Sequence, residues 1–385
     1  MQIYTGSGIC NGCHSCYNAC PQNAITMVED QEGFLYPEID QSKCIQCGLC
    51  QKVCKVMECR TIEENVQAFS CVNKNDEIRM KSSSGGVFSA FAEAIINKGG
   101  VVFGAAYTDN FIVRHICINN INDISKLRGS KYVQSTIGDT FREVKNYLDQ
   151  DKYVFFTGTP CQINGLLSYL RKSYDKLYTQ DIICHGVGSP LVWRKYLEKR
   201  KREVQGNITY LSMRDKTHGW RGLHMRIDCD NSIRYLKRQD SDTYLNGFLS
   251  NLFLRPSCYN CDHKYLPRKS DITVADFWDV QAVTGTVDDN KGVSLILINS
   301  EKGKCLFENI KDQLCYTQLE INNALANNYA VLNSVCMHNK RIKFFSKIQE
   351  EDCDKLINKC LQPTLKELFC NQIMRVKRVI KRIKN

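Results

Sequence analysis

Cys10-Asn-Gly-Cys13-His-Ser-Cys16-Tyr-Asn-Ala-Cys20-Pro21 and Cys44-Ile-Gln-Cys47-Gly-Leu-Cys50-Gln-Lys-Val-Cys54 repeat one spacing in the same order. Three thiolates two residues apart can wrap one face of an iron–sulfur cubane. The fourth, carried off by the turn that follows, reaches a second cubane. Cys10, Cys13, Cys16 and Cys54 are therefore expected to hold one [4Fe-4S] cluster, and Cys20, Cys44, Cys47 and Cys50 another. Zinc ribbons use Cys-x2-Cys pairs but need only four thiolates. A c-type haem at Cys10-Asn-Gly-Cys13-His14 would leave Cys16 and Cys20 unexplained.

This crossed pattern resembles the two-cluster bacterial ferredoxins over about the first 60 residues. Lys55 stands where the first run has Pro21, a difference in the turn and not in a ligand.

Outside these runs the 385 residues have ordinary globular composition, 43% hydrophobic and 24% charged, enough for two or three domains. The exception is 22 cysteines, more than packing needs and too few for a small disulfide scaffold. Residues 1–10 have no basic flank or apolar run, and stretches such as 87–96 and 293–298 fall short of the ~20 residues that span a bilayer. A cytoplasmic chain with reduced thiols is the expectation. The net charge of +11 is concentrated in Arg375, Lys377, Arg378, Lys381, Arg382 and Lys384, which argues against a basic stripe for nucleic acid. Leu365, Leu368, Phe369, Ile373, Val376, Ile380 and Ile383 interleave with these charges at helical spacing. Such a helix suits an anionic membrane surface, the protein's own core or an acidic partner, so peripheral contact at the inner membrane face through 364–385 stays open.

Arg60 to Asn75 reads as a linker, after which strand-like and helix-like stretches alternate. Ser82, Ser83, Ser84, Gly85 and Gly86 open a helix that begins near Val87, and a helix N-terminus with small residues before it can receive an anion. An ordinary serine cap is the plainer alternative. Gly100–Tyr107, Tyr153–Thr157, Ile208–Met213, Leu223–Asp228 and Asp271–Asp279 read as strands. Gln162–Lys172, Ser189–Val204 and Tyr244–Leu254 read as helices. No Gly-x-Gly-x-x-Gly or Walker loop follows a strand. Cys161 follows the apolar run Tyr153-Val-Phe-Phe-Thr-Gly-Thr-Pro, Cys184 closes Asp181-Ile-Ile, and Cys258-Tyr-Asn-Cys261 is a pair that needs partners. The four could form one thiolate site, or Cys161 and Cys184 could be buried small hydrophobes. The other ten cysteines have no ligand spacing.

Thr157-Gly-Thr-Pro-Cys-Gln-Ile163, Ile183-Cys-His-Gly-Val-Gly-Ser-Pro190, Arg214-Asp-Lys216 with Trp220, Cys258-x2-Cys261 and Asp276-Phe-Trp278 resemble the family of beta subunits of coenzyme F420 hydrogenases and dehydrogenases. The likeness runs from about 81 to 345. It implies a flavin-binding α/β core with its own [4Fe-4S] cluster on Cys161, Cys184, Cys258 and Cys261. It also implies FAD held at Ser82 to Gly86, Arg128, Tyr132, Gly158 and Thr159. Lys131 and His185 are candidate proton donors or substrate contacts, the plainer alternative for each being a supporting or surface residue. The expected architecture is an α+β ferredoxin module (1–62), two α/β units (63–150 and 151–345) and a basic helical tail (346–385). The expected function is an oxidoreductase joining one-electron transfer through three clusters to hydride chemistry at FAD. Ferredoxin, another redox partner, a deazaflavin or a small molecule would stand at its ends. The alternative is an electron-transfer subunit or membrane-associated helper without its own substrate.

Overall fold

The computed structural model describes residues 10–54 and 66–363. The N-terminal module is a two-stranded antiparallel sheet, β1 (Ile25–Glu29) and β2 (Leu35–Ile39), with short helices Ser15–Ala19 and Leu49–Val53. Cys16, Ile25 and Cys50 form its small core. A core of that size does not hold a module by itself, which leaves ligands and docking to supply the rest.

The body is one eight-stranded mixed sheet. Its strands are β3 (Gln67–Asn73), β4 (Val101–Tyr107), β5 (Val113–Ile118), β6 (Val154–Thr157) and β7 (Leu177–Ile182), then three from later in the chain. Between these groups β8 (Ile208–Asp215), β9 (His224–Cys229) and β10 (Arg234–Arg238) make a separate antiparallel sheet. The large sheet is completed by β11 (Ile272–Asp276), β12 (Ser294–Ile298) and β13 (Leu314–Leu319), in the order β13-β3-β12-β11-β7-β6-β4-β5. Strands β4, β6, β7 and β11 are parallel. Through the antiparallel β12, β3 runs the same way. Five strands thus deliver their carboxyl ends to one edge, where open α/β sheets gather their sites.

The alternation of side chains explains the layers. Val101, Phe103, Val154 and Phe156 face the helices Thr140–Asp149 and Pro160–Leu170. Val102 and Phe155 face the helix Val87–Asn97 together with Leu306 and Phe307. Phe155 and Phe156 are fully buried, each side chain contributing about 1.5–3 kcal/mol.

Four expectations need correction. Strands from 63–150 and from 151–345 interleave in the large sheet, so position 150 does not divide two α/β units. Gln67–Asn73 is a strand pairing β12 and β13, not a linker; its half-polar sequence conceals that it is covered on both sides. The helix expected to reach Leu254 ends at Leu249, and Asn251 takes a positive φ of 60°. Within 346–385, the helix Cys353–Leu361 is built into the body: Cys353, Leu356, Ile357 and Cys360 pack with Trp193, Tyr244 and Phe248. The amphipathic segment 364–385 lies outside the described residues, and among those described no helix is long and apolar enough to cross a membrane.

That last helix is pinned by a buried ion pair between Arg200, 3% exposed, and Asp354, which also accepts from Thr243 Oγ1 at 2.8 Å. Arg200→Met should lower unfolding free energy by about 1–3 kcal/mol, because Asp354 loses its most buried cation and keeps only Lys199, 3.3 Å away. Chemical denaturation of the two chains measures it.

Candidate functional site

Sulfur atoms gather in three places. In the N-terminal module, burial raises the Cys16 thiol, and Cys13, Cys10 and Cys54 push it further in that order. Burial also raises Cys50, whose charged neighbours are Cys47 and Cys20. Each run thus contributes three cysteines to its own group and sends the fourth to the other. Cys20, Cys44, Cys47 and Cys50 line one cavity at the outer end of the module, where Cys47 is exposed and Ile45 is 61% exposed.

The third place is in the body. Cys161 is the second residue of the helix Pro160–Leu170 after β6, Cys184 follows β7, and the short 3-10 turn Pro256–Asn260 carries Cys258 towards Cys261. All four line one cavity. Burial pushes the Cys184 thiol up to about 11 and Cys258 to about 12, and raises Cys161, with the other sulfurs adding to each shift. Neutral thiols are what such a pocket favours until a metal-borne positive charge reverses the balance. Among the described residues no three His, Cys, Asp or Glu side chains close around a single ion. Four sulfurs on one zinc, with 2.3 Å bonds, would stand about 3.8 Å apart.

Three cations that sequence reasoning passed over share this cavity: Arg255, Lys264 and Arg268. Arg268 is 4% exposed, and its Nε and Nη1 have no partner among the described residues. Lys264 Nζ donates to the Cys184 and Ala330 carbonyl oxygens. Arg255 and Lys264 pair with no carboxylate among the described residues, while Arg268 interacts with the buried carboxyl of Asp181. The signal was present in the sequence as basic residues bracketing Cys258 and Cys261.

The helix Pro160–Leu170 joins the first group to the third. Gly165, one turn after Cys161, faces Cys13: a Cβ there would lie 2.8 Å from Cys13 Cβ and 3.1 Å from its Sγ. Ser15 Oγ donates to the Gly165 carbonyl at 2.6 Å. His263 bridges the same seam through Asn11 and Asn164. Farther out, the β1–β2 turn is clamped where Ser189 Oγ donates to the Glu32 carbonyl and Arg341 pairs with the Glu32 carboxylate.

The residues expected around FAD divide into two sets. Ser82 Oγ donates to Ile78 O and Ser84 Oγ to Val293 O, both at 2.7 Å, while Ser83 Oγ accepts from Ser130 N and Ser130 Oγ. Two of the three serines therefore fasten the loop to the body, and only Ser83 faces the Arg128–Tyr132 segment. Gly85 serves packing, since a Cβ there would run into the Cys71 carbonyl oxygen. Gly86 precedes the helix Val87–Asn97, whose first turn has no side-chain cap, and Arg128 Nε donates to Ser89 Oγ at 2.7 Å in that turn. Tyr132 stacks on Phe248 at 4.7 Å and interacts with Arg214, which pairs with Asp276 at 2.5 Å. Trp220 and Trp278 stack at 4.3 Å alongside. Arg214 Nη2, Trp220 Nε1 and Tyr107 Oη are buried without partners among the described residues, donors left for a ligand.

Gly158 and Thr159 are elsewhere. Gly158 N donates to Gln180 O, and Thr159 caps the helix Pro160–Leu170 with its hydroxyl 3.1 Å from Cys161 Sγ. They sit where the strand β6 ends, beside Cys161 and away from the Ser83–Arg128 segment. His185 lines the cysteine cavity, with Nε2 held by Asn251 at 2.7 Å and the ring against Phe248. Lys131 Nζ donates to the Leu127, Arg128 and Gly129 carbonyls and lies 5.4 Å over the Tyr107 ring. Burial brings its ammonium down to about 7.

Comparison with known families meets this geometry at two places. Residues 9–57 match the 4Fe-4S dicluster domain, and residues 151–324 match the C terminus of the coenzyme F420 hydrogenase/dehydrogenase beta subunit. Over residues 151–324 the chain is similar to that family of beta subunits. The matched stretch contains Cys161, Cys184, Cys258 and Cys261 together with Arg255, Lys264 and Arg268. Among relatives, the F subunit of the F(420)H(2) dehydrogenase of Methanosarcina mazei is 26% identical over 168 residues, covering 41% of this chain and 47% of its own length. The coenzyme F420-dependent sulfite reductase of Methanocaldococcus jannaschii is 26% identical over 312 residues, 77% of this chain and 45% of its own. The chain thus spans about half the length of these relatives. A chain of the F420-reducing [NiFe] hydrogenase complex from Methanosarcina barkeri superposes on 79% of this chain and 94% of its own, with a TM-score of 0.47 and 15% identity.

Proposed function

We propose that the chain is an iron–sulfur flavoprotein oxidoreductase that exchanges single electrons with an external carrier and a hydride with a deazaflavin such as F420 or another small molecule. Cys10, Cys13, Cys16 and Cys54 would hold the first [4Fe-4S] cluster, Cys20, Cys44, Cys47 and Cys50 the second, and Cys161, Cys184, Cys258 and Cys261 a third. The observation that carries this reading is the core cavity, where four cysteines meet three buried cations, of which only Arg268 faces a carboxyl group, one helical turn from the residue that meets Cys13. Three buried positive charges cost several kcal/mol each unless an anion balances them, and a thiolate-bound cluster is an anion of the right kind.

Bound FAD would supply the exchange between hydride transfer and single-electron transfer. Arg128 and the uncapped first turn of the helix Val87–Asn97 would bind its phosphate, with Ser83 and Ser130 beside them. Tyr132, Arg214 and the Trp220–Trp278 pair would orient the rest, and Lys131 Nζ would hold or release a proton near neutrality. His185, fixed by Asn251, would orient the loop after Cys184. The exposed end at Ile45 and Cys47 would face ferredoxin or another redox partner.

Anaerobic purification with iron, acid-labile sulfide and flavin counted per chain tests the reading. About twelve irons with one FAD is the expected result; about eight irons without flavin would overturn it. Arg128→Ala should weaken FAD binding to deflavinated protein by roughly tenfold or more, the loss of one charged hydrogen bond worth about 1.5–3 kcal/mol. Flavin fluorescence on titration measures it.

A further inference from the structure

Arg255 lies where the first cysteine group and the core cavity meet. It is 1% exposed. Its Nε donates to the Cys10 carbonyl oxygen at 2.8 Å, Nη1 to Gln134 Oε1 at 2.8 Å and Nη2 to the Leu35 carbonyl at 3.0 Å. The guanidinium lies over the rings of Tyr36 and Phe34, at 4.3 and 5.3 Å. Its other side lines the cavity of Cys161, Cys184, Cys258 and Cys261. Every hydrogen-bond acceptor is neutral, and no carboxylate pairs with it among the described residues.

We propose that Arg255 is a positioning residue shared by the two centres: it ties the Cys10 backbone to the body, and its single charge raises the reduction potential of both. The inference rests on the three-cluster reading above. In the step concerned one electron would leave a reduced centre held by Cys10, Cys13, Cys16 and Cys54 and would arrive at an oxidised centre held by Cys161, Cys184, Cys258 and Cys261. One centre is oxidised, the other is reduced, and no bond or proton changes. A fixed cation near both stabilises the more negative form of each. Both potentials therefore move together, and the driving force between them is preserved, which a cation beside one centre alone would not achieve.

The test uses the full-length holoprotein, wild type, Arg255→Gln and Arg255→Lys. Iron is counted first, and reduction is then followed by EPR during potentiometric titration, with Cys184→Ser protein identifying the core signal. Arg255→Gln should make both reduction equilibria less favourable by at least tenfold, about 59 mV for one electron. Arg255→Lys, which keeps the charge and loses the planar fork, should stay within about threefold of wild type at both. A shift at one centre only, no shift at either, or an Arg255→Lys shift as large as that of Arg255→Gln would overturn the proposal. If Arg255→Gln does not retain its iron, Arg255→Lys decides alone: near-wild-type potentials support the shared charge, and a tenfold fall in either equilibrium overturns it. Failure of the underlying reading is seen separately, as a wild-type chain with about eight irons.

Discussion

Cys184→Ser should remove about four of about twelve irons per chain, leave FAD bound and abolish flavin reduction from the N-terminal side. Cys184 closes β7 and shares its cavity with Cys161, Cys258 and Cys261. A serine oxygen is a harder and poorer ligand for iron–sulfur clusters than a thiolate. The groups assigned to FAD, Arg128 and the first turn of the helix Val87–Asn97, lie in other elements, so flavin content should not follow iron. Loss of the cluster would also leave Arg255 and Lys264 without a balancing charge, for a destabilisation of about 3–5 kcal/mol. Iron analysis with thermal denaturation reads both effects. Retention of all the iron would remove Cys184 from the ligand set.

Gly165→Ala should leave iron and flavin unchanged and interrupt electron passage between the module and the body. The new methyl would stand 2.8 Å from Cys13 Cβ and 2.9 Å from Ser15 Oγ. Alanine favours the helix by about 1 kcal/mol, but overpacking a close seam costs about 1–3 kcal/mol. Here the contact is with another element, so the cost falls on docking and the propensity gain does not relieve it. A shift of that size corresponds to roughly 5- to 150-fold toward a displaced module. Stopped-flow reduction of the flavin by a one-electron donor should slow, while direct reduction by a hydride donor should not. Equal rates by both routes would show that Gly165 does not control the junction.

Much of this was legible in the chain. The doubled Cys-x2-Cys-x2-Cys-x3-Cys run reports a crossed ligand arrangement because ligand spacing is local chemistry. Helices such as Val87–Asn97 and Pro190–Val204 were legible within a residue or two, being bounded by a glycine and by a serine with proline. Cys71, Cys229, Cys353 and Cys360 are buried as cysteines without ligand spacing tend to be, and Cys305, Cys315 and Cys336 are exposed. The serine-glycine loop was harder to read. A hydroxyl in a loop offers the same signal whether it meets a phosphate or the backbone, and only the positions of Ile78 and Val293 show that Ser82 and Ser84 are already engaged.

By itself the amino-acid sequence determined the cysteine spacing, the two-run module and the alternating pattern of the body, because spacing and periodicity act over a few residues. Only the tertiary structure decided that 63–150 and 151–345 share one sheet and that Cys161 and Cys184 meet Cys258 and Cys261. It alone brought Cys13 against Gly165 and placed Arg255 between two groups of cysteines. The reason is physical: charge balance and close approach depend on distances between segments that lie more than a hundred residues apart in the chain, and no local pattern records them.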